Sequence, residues 1–224
     1  MSTTNTVMEA TEVIQRRIAR EITTGMLVNL GIGIPTGVTR YVTAEGVMFQ
    51  SENGLIGTGA PMPEGMEDES LVDAGGGFVS AVPGAATIDS AMSFTLIRGG
   101  HLDMTVLGGM QVNQQGQLAN WMVPGKRVAG MGGAMDLVSG AKRVIVAMKH
   151  TAKGAAKIVK ACSLPLTSIR PVSLIVTDLA VIQPTEQGLV LTEHADHVTV
   201  DEILAQTDAN LMVATNIRPM GLLG

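Results

Sequence analysis

Five short uncharged runs, Met26–Ile32, Val47–Gln50, Met104–Leu107, Val144–Met148 and Leu174–Val176, constrain this fold more than any other feature. They are too short for core helices and have no regular polar face, which suits strands covered on both sides. Helix signals stand between and around them. Thr6 and Glu9 form a capping-box pattern, after which Ile14, Ile18 and Ile22 fall four apart until Gly25 stops the helix. Pro35 and Thr36 open a second helix that should run to about Glu45, and Asp89 to Arg98 and Thr199 to Thr207 read as two more. Strand–helix alternation of this kind predicts an α/β fold, a mostly parallel sheet flanked by helices.

The 224 residues are read as a single domain spanning 1–224. The acidic, Pro- and Gly-rich stretch from Ala60 to Ser70 is a surface loop and not a linker, because sheet-like sequence resumes at once. Residues 1–5 and 219–224 are expected to fray. With aromatics at 2% against 27 glycines and 15 methionines, the core must be aliphatic and packed around glycine turns. A net charge of -5 without a dense run of Lys or Arg excludes a nucleic-acid partner. The single Cys162 excludes an intrachain disulfide, and no thiol or histidine spacing suggests a metal. The N-terminus lacks the basic start and apolar run of a signal peptide, and the uncharged run Ile22–Thr39 is broken by glycines and Pro35. A soluble, cytoplasmic protein with no membrane partner is therefore expected.

Three segments could carry chemistry. In Gln50-Ser-Glu-Asn-Gly, Glu52 follows a predicted parallel strand, where ligand sites form, although a glutamate before Asn-Gly also suits a plain turn. Gly31-Ile-Gly-Ile-Pro-Thr ends the preceding strand. It looks like a dinucleotide fingerprint, with Glu52 placed 21 positions after Gly31 to hold a ribose, but Thr36 stands where the third glycine belongs and Pro35 removes an N–H. Gly130-Met-Gly-Gly-Ala-Met-Asp-Leu precedes a short helix and could offer backbone donors to an oxyanion. His101, His150, His194 and His197 are read as structural or surface residues. No nucleophile elbow or phosphate-binding loop of the Walker type occurs.

Taken together, Asn29-Leu-Gly-Ile-Gly-Ile-Pro-Thr, Gln50-Ser-Glu-Asn-Gly, Ile97-Arg-Gly-Gly-His-Leu-Asp, Leu118-Ala-Asn-Trp-Met-Val-Pro-Gly-Lys and Gly130-Met-Gly-Gly-Ala-Met-Asp-Leu closely resemble the β subunit of class I 3-oxoacid CoA-transferases. The match runs from about Val13 to Leu204. Ala147-Met-Lys-His-Thr-Ala-Lys-Gly and Asn216-Ile-Arg-Pro-Met look most like the acetate- or butyrate-acetoacetate enzymes.

The resemblance implies a CoA-transferase (sugar-phosphate-isomerase-like) architecture and a catalytic Glu52. It implies a ping-pong cycle through a glutamyl-CoA thioester, moving CoA between acetyl-, butyryl- or succinyl-CoA and a 3-oxoacid such as acetoacetate. Gly31, Gly33, Pro35, Asn53, Gly54, Asn120, Gly132 and Gly133 are the residues it assigns to the oxyanion and CoA pocket. No permanently bound cofactor and no metal is expected, with coenzyme A as co-substrate and an α subunit as partner, in an α2β2 assembly. Acid specificity could involve Ser80 to Ala86, Met110 or the partner. Two alternatives remain at this stage, an NAD(P)-dependent oxidoreductase using the Gly31/Gly33 turn and a non-catalytic ligand-sensing module of the same fold.

Overall fold

A computed structural model of the chain describes residues 8–125, 130 and 132–222. Its main sheet has ten strands: β1 (Leu27–Leu30), β2 (Met48–Ser51), β3 (Leu55–Pro61), β4 (Val79–Thr87), β5 (Met104–Gly108), β6 (Arg143–Ala147), β7 (Leu174–Val176), β8 (Ala180–Thr185), β9 (Gly188–His194) and β10 (Leu211–Pro219). Their spatial order is β10-β9-β8-β7-β6-β5-β1-β2-β3-β4. The five central strands, β7-β6-β5-β1-β2, are all parallel, as the apolar runs predict. Antiparallel hairpins extend the sheet on both sides, β2–β3–β4 and β7–β8–β9, and β10 then joins parallel to β9. Loop length explains the change of direction. Only residues 52–54 separate β2 from β3, and only Glu186 and Gln187 separate β8 from β9, far short of a crossover back to the same end.

Helices α1 (Ala10–Ala19), α2 (Ser90–Arg98), α3 (Ala134–Gly140) and α4 (Val200–Ala205) and a 3-10 helix at Pro35–Tyr41 complete the main elements. The core divides by strand alternation. On β6, Val144 and Val146 belong to a cluster that includes Ile97 of α2, Leu137 of α3 and Ile203 of α4. Ile145 and Ala147 point to the opposite cluster, with Ile14 and Ile18 of α1 and Val38 of the 3-10 helix. This two-sided burial is why the run carries no polar position. Asp89 caps α2 by accepting from the Met92 N–H at 2.8 Å, and Thr199 with Glu202 forms a capping box on α4.

Several sequence expectations are revised. The capping box at Thr6 and Glu9 lies outside the described residues at Thr6, and Glu9 makes no side-chain cap. Helix α1 ends at Ala19 instead of reaching Gly25. Its tail tightens through Glu21 N–H to Ile18 C=O and Ile22 N–H to Ala19 C=O bonds, which still turn Ile22 into the core. The helix predicted from Pro35 to about Glu45 is a 3-10 helix that stops at Tyr41, built on Thr36, Val38 and Thr39, poor α formers. Of the two segments expected to fray, residues 1–5 and the last two of 219–224 lie outside the described residues, and 219–222 is tied down. Arg20 donates to the Met220 and Gly221 carbonyls, and Asp196 accepts from the Gly221 and Leu222 N–H groups.

One buried ion pair links the ends of the chain. Arg17 of α1 donates to Glu193 of β9 at 2.5 and 3.1 Å and to Glu21 at 2.6 Å, while Arg218 of β10 and Arg143 of β6 reach the two acids from outside. Burial pushes the Glu193 carboxyl up, but the hydrogen bonds from Arg17 and Arg218 outweigh it and hold the group below the usual carboxylate range. Removing Glu193 strands a buried guanidinium. Glu193→Ala is expected to lower unfolding free energy by about 3–5 kcal/mol in urea, whereas Glu12→Ala, which breaks an exposed helix pair, should leave it nearly unchanged.

His150 gives the fold a pH dependence in a different window. It is fully buried between Thr177 Oγ1 at 3.0 Å and Thr207 Oγ1 at 2.9 Å, and burial lowers its pKa from 6.5 to about 4. The unfolded chain thus binds a proton that the folded chain refuses between those two values, so stability falls as pH drops through that interval. Lowering the pH from 7 to 5 should remove about 2 kcal/mol through this group, an increment that His150→Gln should abolish in the same urea measurement.

Candidate active site

The sheet sets the position of the site. From β1 the chain proceeds outward to β2, β3 and β4, and then returns to the other side of β1 as β5. Between β1 and β5 the order reverses, and crevices of this kind outside the carboxyl ends of parallel strands receive ligands. Three strand ends converge here: Gly31 follows β1, Glu52 follows β2, and Gly108 ends β5.

Glu52 stands in the three-residue turn between β2 and β3. Gly54 makes that turn possible. Its φ is +127°, and a Cβ there would lie 2.0 Å from the Ile88 carbonyl oxygen, so no other residue fits. Neighbouring side chains serve the backbone. Ser51 Oγ accepts from the Ala74 N–H at 2.8 Å and Asn53 Nδ2 donates to the Val72 carbonyl at 2.8 Å, which pins the loop between β3 and β4 beside the glutamate.

The Glu52 carboxylate itself is half-buried and accepts from Asn29 Nδ2 at 3.1 Å. It lies where two cavities meet. The larger, about 670 Å³, is walled by apolar residues including Leu30, Ile32, Phe49 and Val82 and by the 3-10 helix, whose Arg40 is the one cation among its described lining residues. The smaller, about 390 Å³, is lined by Gly31, Gly108, Gly109, Met110, Asn120, Gly132 and Gly133 around the same carboxylate. Gly133 faces the glutamate closely: a Cβ there would stand 3.2 Å from Glu52 Cγ and 3.4 Å from Oε1.

The structure therefore brings Gly31, Glu52, Asn120, Gly132 and Gly133 together around the smaller cavity, and places Gly33 on the larger. Pro35 is buried at the start of the 3-10 helix and lines neither cavity, and Asn53 and Gly54 also stand outside both linings. Asn120 spends its amide on structure, donating to the Gly108 carbonyl at 2.9 Å and accepting from Thr167 at 2.6 Å. Of the region expected to tune acid specificity, Val82 reaches the larger cavity and Met110 the smaller. No α-helix begins after the turn at Gly31 and Gly33 to receive a dinucleotide pyrophosphate, because the 3-10 helix starts there. Among the described residues no cluster of His, Cys, Asp or Glu could hold a metal, and no helix is long and apolar enough to cross a membrane.

Asn29, Gln50, Ser93 and Thr105 were not singled out from the sequence, yet they form the buried polar environment behind Glu52. Their signal was present. Asn29 and Thr105 are polar residues in the middle of otherwise apolar strands, where an unpaired polar group is costly.

Residues 11–206 match the family model described as coenzyme A transferase. The chain belongs to that family. It is 53% identical over 215 residues to the beta subunit of the acetate CoA-transferase of Haemophilus influenzae, covering 95% of this chain and 96% of that one. It is 50% identical over 211 residues to a subunit of the probable succinyl-CoA:3-ketoacid coenzyme A transferase of Bacillus subtilis, covering 93% and 98%. An acyl-CoA transferase (YdiF) of Escherichia coli O157:H7 shares the fold, with a TM-score of 0.75 at 21% identity over 97% of this chain and 44% of that one. This CoA-transferase chain is thus an enzyme subunit of the β kind, and membership of the family displaces both the oxidoreductase and the sensor alternatives.

The closeness of Gly133 to Glu52 makes a specific demand. Gly133 has an ordinary negative φ of -86°, so alanine is conformationally acceptable, but its methyl would press on Glu52 and on Phe94 Cζ at 3.3 Å. Gly133→Ala should leave the thermal midpoint within a degree or two while lowering the transfer rate at least about ten-fold, because a carboxylate displaced by a fraction of an ångström loses its alignment.

Proposed function

We propose that this chain is the glutamate-bearing subunit of a 3-oxoacid CoA-transferase, which moves CoA between a short-chain acyl-CoA, such as acetyl-, butyryl- or succinyl-CoA, and a 3-oxoacid such as acetoacetate. The observation that carries the reading is the Glu52 carboxylate, held by Asn29 at the seam of two cavities and faced closely by Gly133. A carboxylate is a weak nucleophile, and position compensates for weak basicity.

In the cycle, one Glu52 oxygen attacks the thioester carbonyl of the acyl-CoA and the CoA thiolate leaves, giving an acyl-glutamyl anhydride. The thiolate then attacks the glutamyl carbonyl, expelling the first acid as its carboxylate and leaving a glutamyl-CoA thioester. The second acid enters by the reverse sequence. Negative charge that develops on the attacked oxygen is met by backbone N–H groups around Gly132 and Gly133, in the smaller, glycine-lined cavity. The larger cavity beside Gly31 and Gly33 takes the pantetheine arm, whose remote binding contributes to the chemistry. Pro35, Asn53, Gly54 and Asn120 act indirectly, by fixing the 3-10 helix, the turn at Glu52 and the Gly108 carbonyl.

Relatives named as subunits support a partner subunit; on this proposal it is an obligate α subunit in an α2β2 assembly in the cytoplasm, with CoA as co-substrate and no resident cofactor. The whole 224-residue chain acts as one domain in that assembly.

The test uses the chain co-expressed with its partner subunit. The complex is incubated with acetoacetyl-CoA, treated with borohydride and digested for mass spectrometry. Hydride reduction of the glutamyl thioester releases CoA thiol and leaves a primary alcohol, so the modified residue should be Glu52. Glu52→Asp, which withdraws the carboxylate by one methylene, should lower turnover by about 100-fold. An unmodified Glu52 in an active complex, or full activity in Glu52→Asp, overturns the proposal.

A further inference from the structure

Behind Glu52 a row of buried polar side chains crosses three parallel strands. Asn29 of β1 is the register partner of Gln50 of β2 on one side and of Thr105 of β5 on the other. These residues face the side of the sheet on which α2 packs, and Ser93 of α2 closes the row. Asn29, Ser93 and Thr105 are wholly inaccessible and Gln50 is 4% exposed. At the next strand the register partner of Thr105 is Val144, and the row ends in aliphatic core.

Hydrogen-bond chemistry fixes the direction of every bond in the row. The Glu52 carboxylate and the Gln50 backbone carbonyl can only accept, so the Asn29 amide must turn its NH2 toward them, at 3.1 Å in each case. Asn29 Oδ1 then faces Thr105, whose hydroxyl must donate, at 3.1 Å. The same NH2 also meets Gln50 Oε1 at 2.9 Å, one of its two protons being shared between acceptors, which leaves Gln50 Nε2 to donate to Ser93 Oγ at 2.8 Å. No member of the row can rotate without leaving a buried donor or acceptor unpaired, an expensive change in a low-dielectric interior. Aliphatic residues at these positions would pack as well and avoid the desolvation altogether.

We infer that Thr105, Gln50 and Ser93 are positioning residues for CoA transfer: they lock the Asn29 amide so that its N–H holds the Glu52 carboxylate at the seam of the two cavities. The inference rests on Glu52 being the nucleophile. Thr105 is the most telling position, since it is separated from the glutamate by Asn29 and its replacement by the isosteric valine removes only a hydroxyl. In that variant Asn29 Oδ1 is left against methyl groups with no donor, so the amide keeps its NH2 toward the two acceptors but loses the bond that anchors it to β5.

The experiment compares Thr105→Val, Thr105→Ser and Ser93→Ala in the complex co-expressed with the partner subunit, with the wild-type complex and Glu52→Gln run beside them. Thr105→Val is expected to lower kcat about ten-fold with KM for both substrates within about two-fold, and to slow formation of the Glu52 thioester in a single turnover by the same factor. Thr105→Ser, which restores the donor, should return most of the rate. If Thr105→Val does not yield a folded complex, Ser93→Ala decides, with an expected several-fold loss in kcat at unchanged KM. Wild-type kcat in the variant that decides, or equal losses in Thr105→Val and Thr105→Ser, overturns the inference. Retained transfer in Glu52→Gln would instead overturn the assignment of the nucleophile.

Discussion

Strand β1 has neighbours that arrive by opposite routes, β2 directly and β5 only after the chain has built β3, β4 and α2. Because all three strands run the same way, their carboxyl ends open on one edge, and because the order reverses at β1, no connecting loop fills the gap between them. Gly31, Glu52 and Gly108 meet there for that reason. Moving any one of the three strands by a single register position would turn Asn29, Gln50 or Thr105 to the other face of the sheet and dissolve the support behind the glutamate.

The site is assembled from elements with very different tolerances. The wall of the larger cavity is made largely of side chains, with apolar Leu30, Phe49 and Val82 beside polar Gln15, Arg40 and Asp73. The smaller cavity owes more of its lining to backbone. Five glycines line it, so much of the space next to Glu52 is set by main-chain positions, and a methyl group at Gly133 would fit only by pushing the glutamate or Phe94 aside by a few tenths of an ångström. The proposed role of Glu52 as a nucleophile that relies on placement more than on basicity calls for this second kind of wall.

The fold offsets the cost of its buried polar groups by pairing them. Arg17 and Glu193 join the first helix to the last strands, His150 sits neutral between two threonine hydroxyls, and the row from Ser93 to Thr105 crosses the centre of the sheet. The first two are consistent with holding distant parts of the chain in register. The third lies behind the turn that carries Glu52 and ends in the Asn29 amide that donates to its carboxylate, the group we propose as the nucleophile.

Much of this was legible in the amino-acid sequence. Uncharged runs buried on both faces determined the five parallel strands, the capping residues Asp89 and Thr199 determined where α2 and α4 begin, and the Gln50-Ser-Glu-Asn-Gly segment determined which carboxylate stands at the strand end. Pairing decisions were not legible, because they depend on which segments meet in space. Nothing local showed that Asn29 would lie between Gln50 and Thr105, that Asn53 would be spent on the Val72 carbonyl, or that Pro35 would start a 3-10 helix outside both cavities. Local sequence carries periodicity, caps and turn chemistry, all set within a few residues. The partners of buried polar side chains are set by strand order and register, and those belong to the tertiary structure alone.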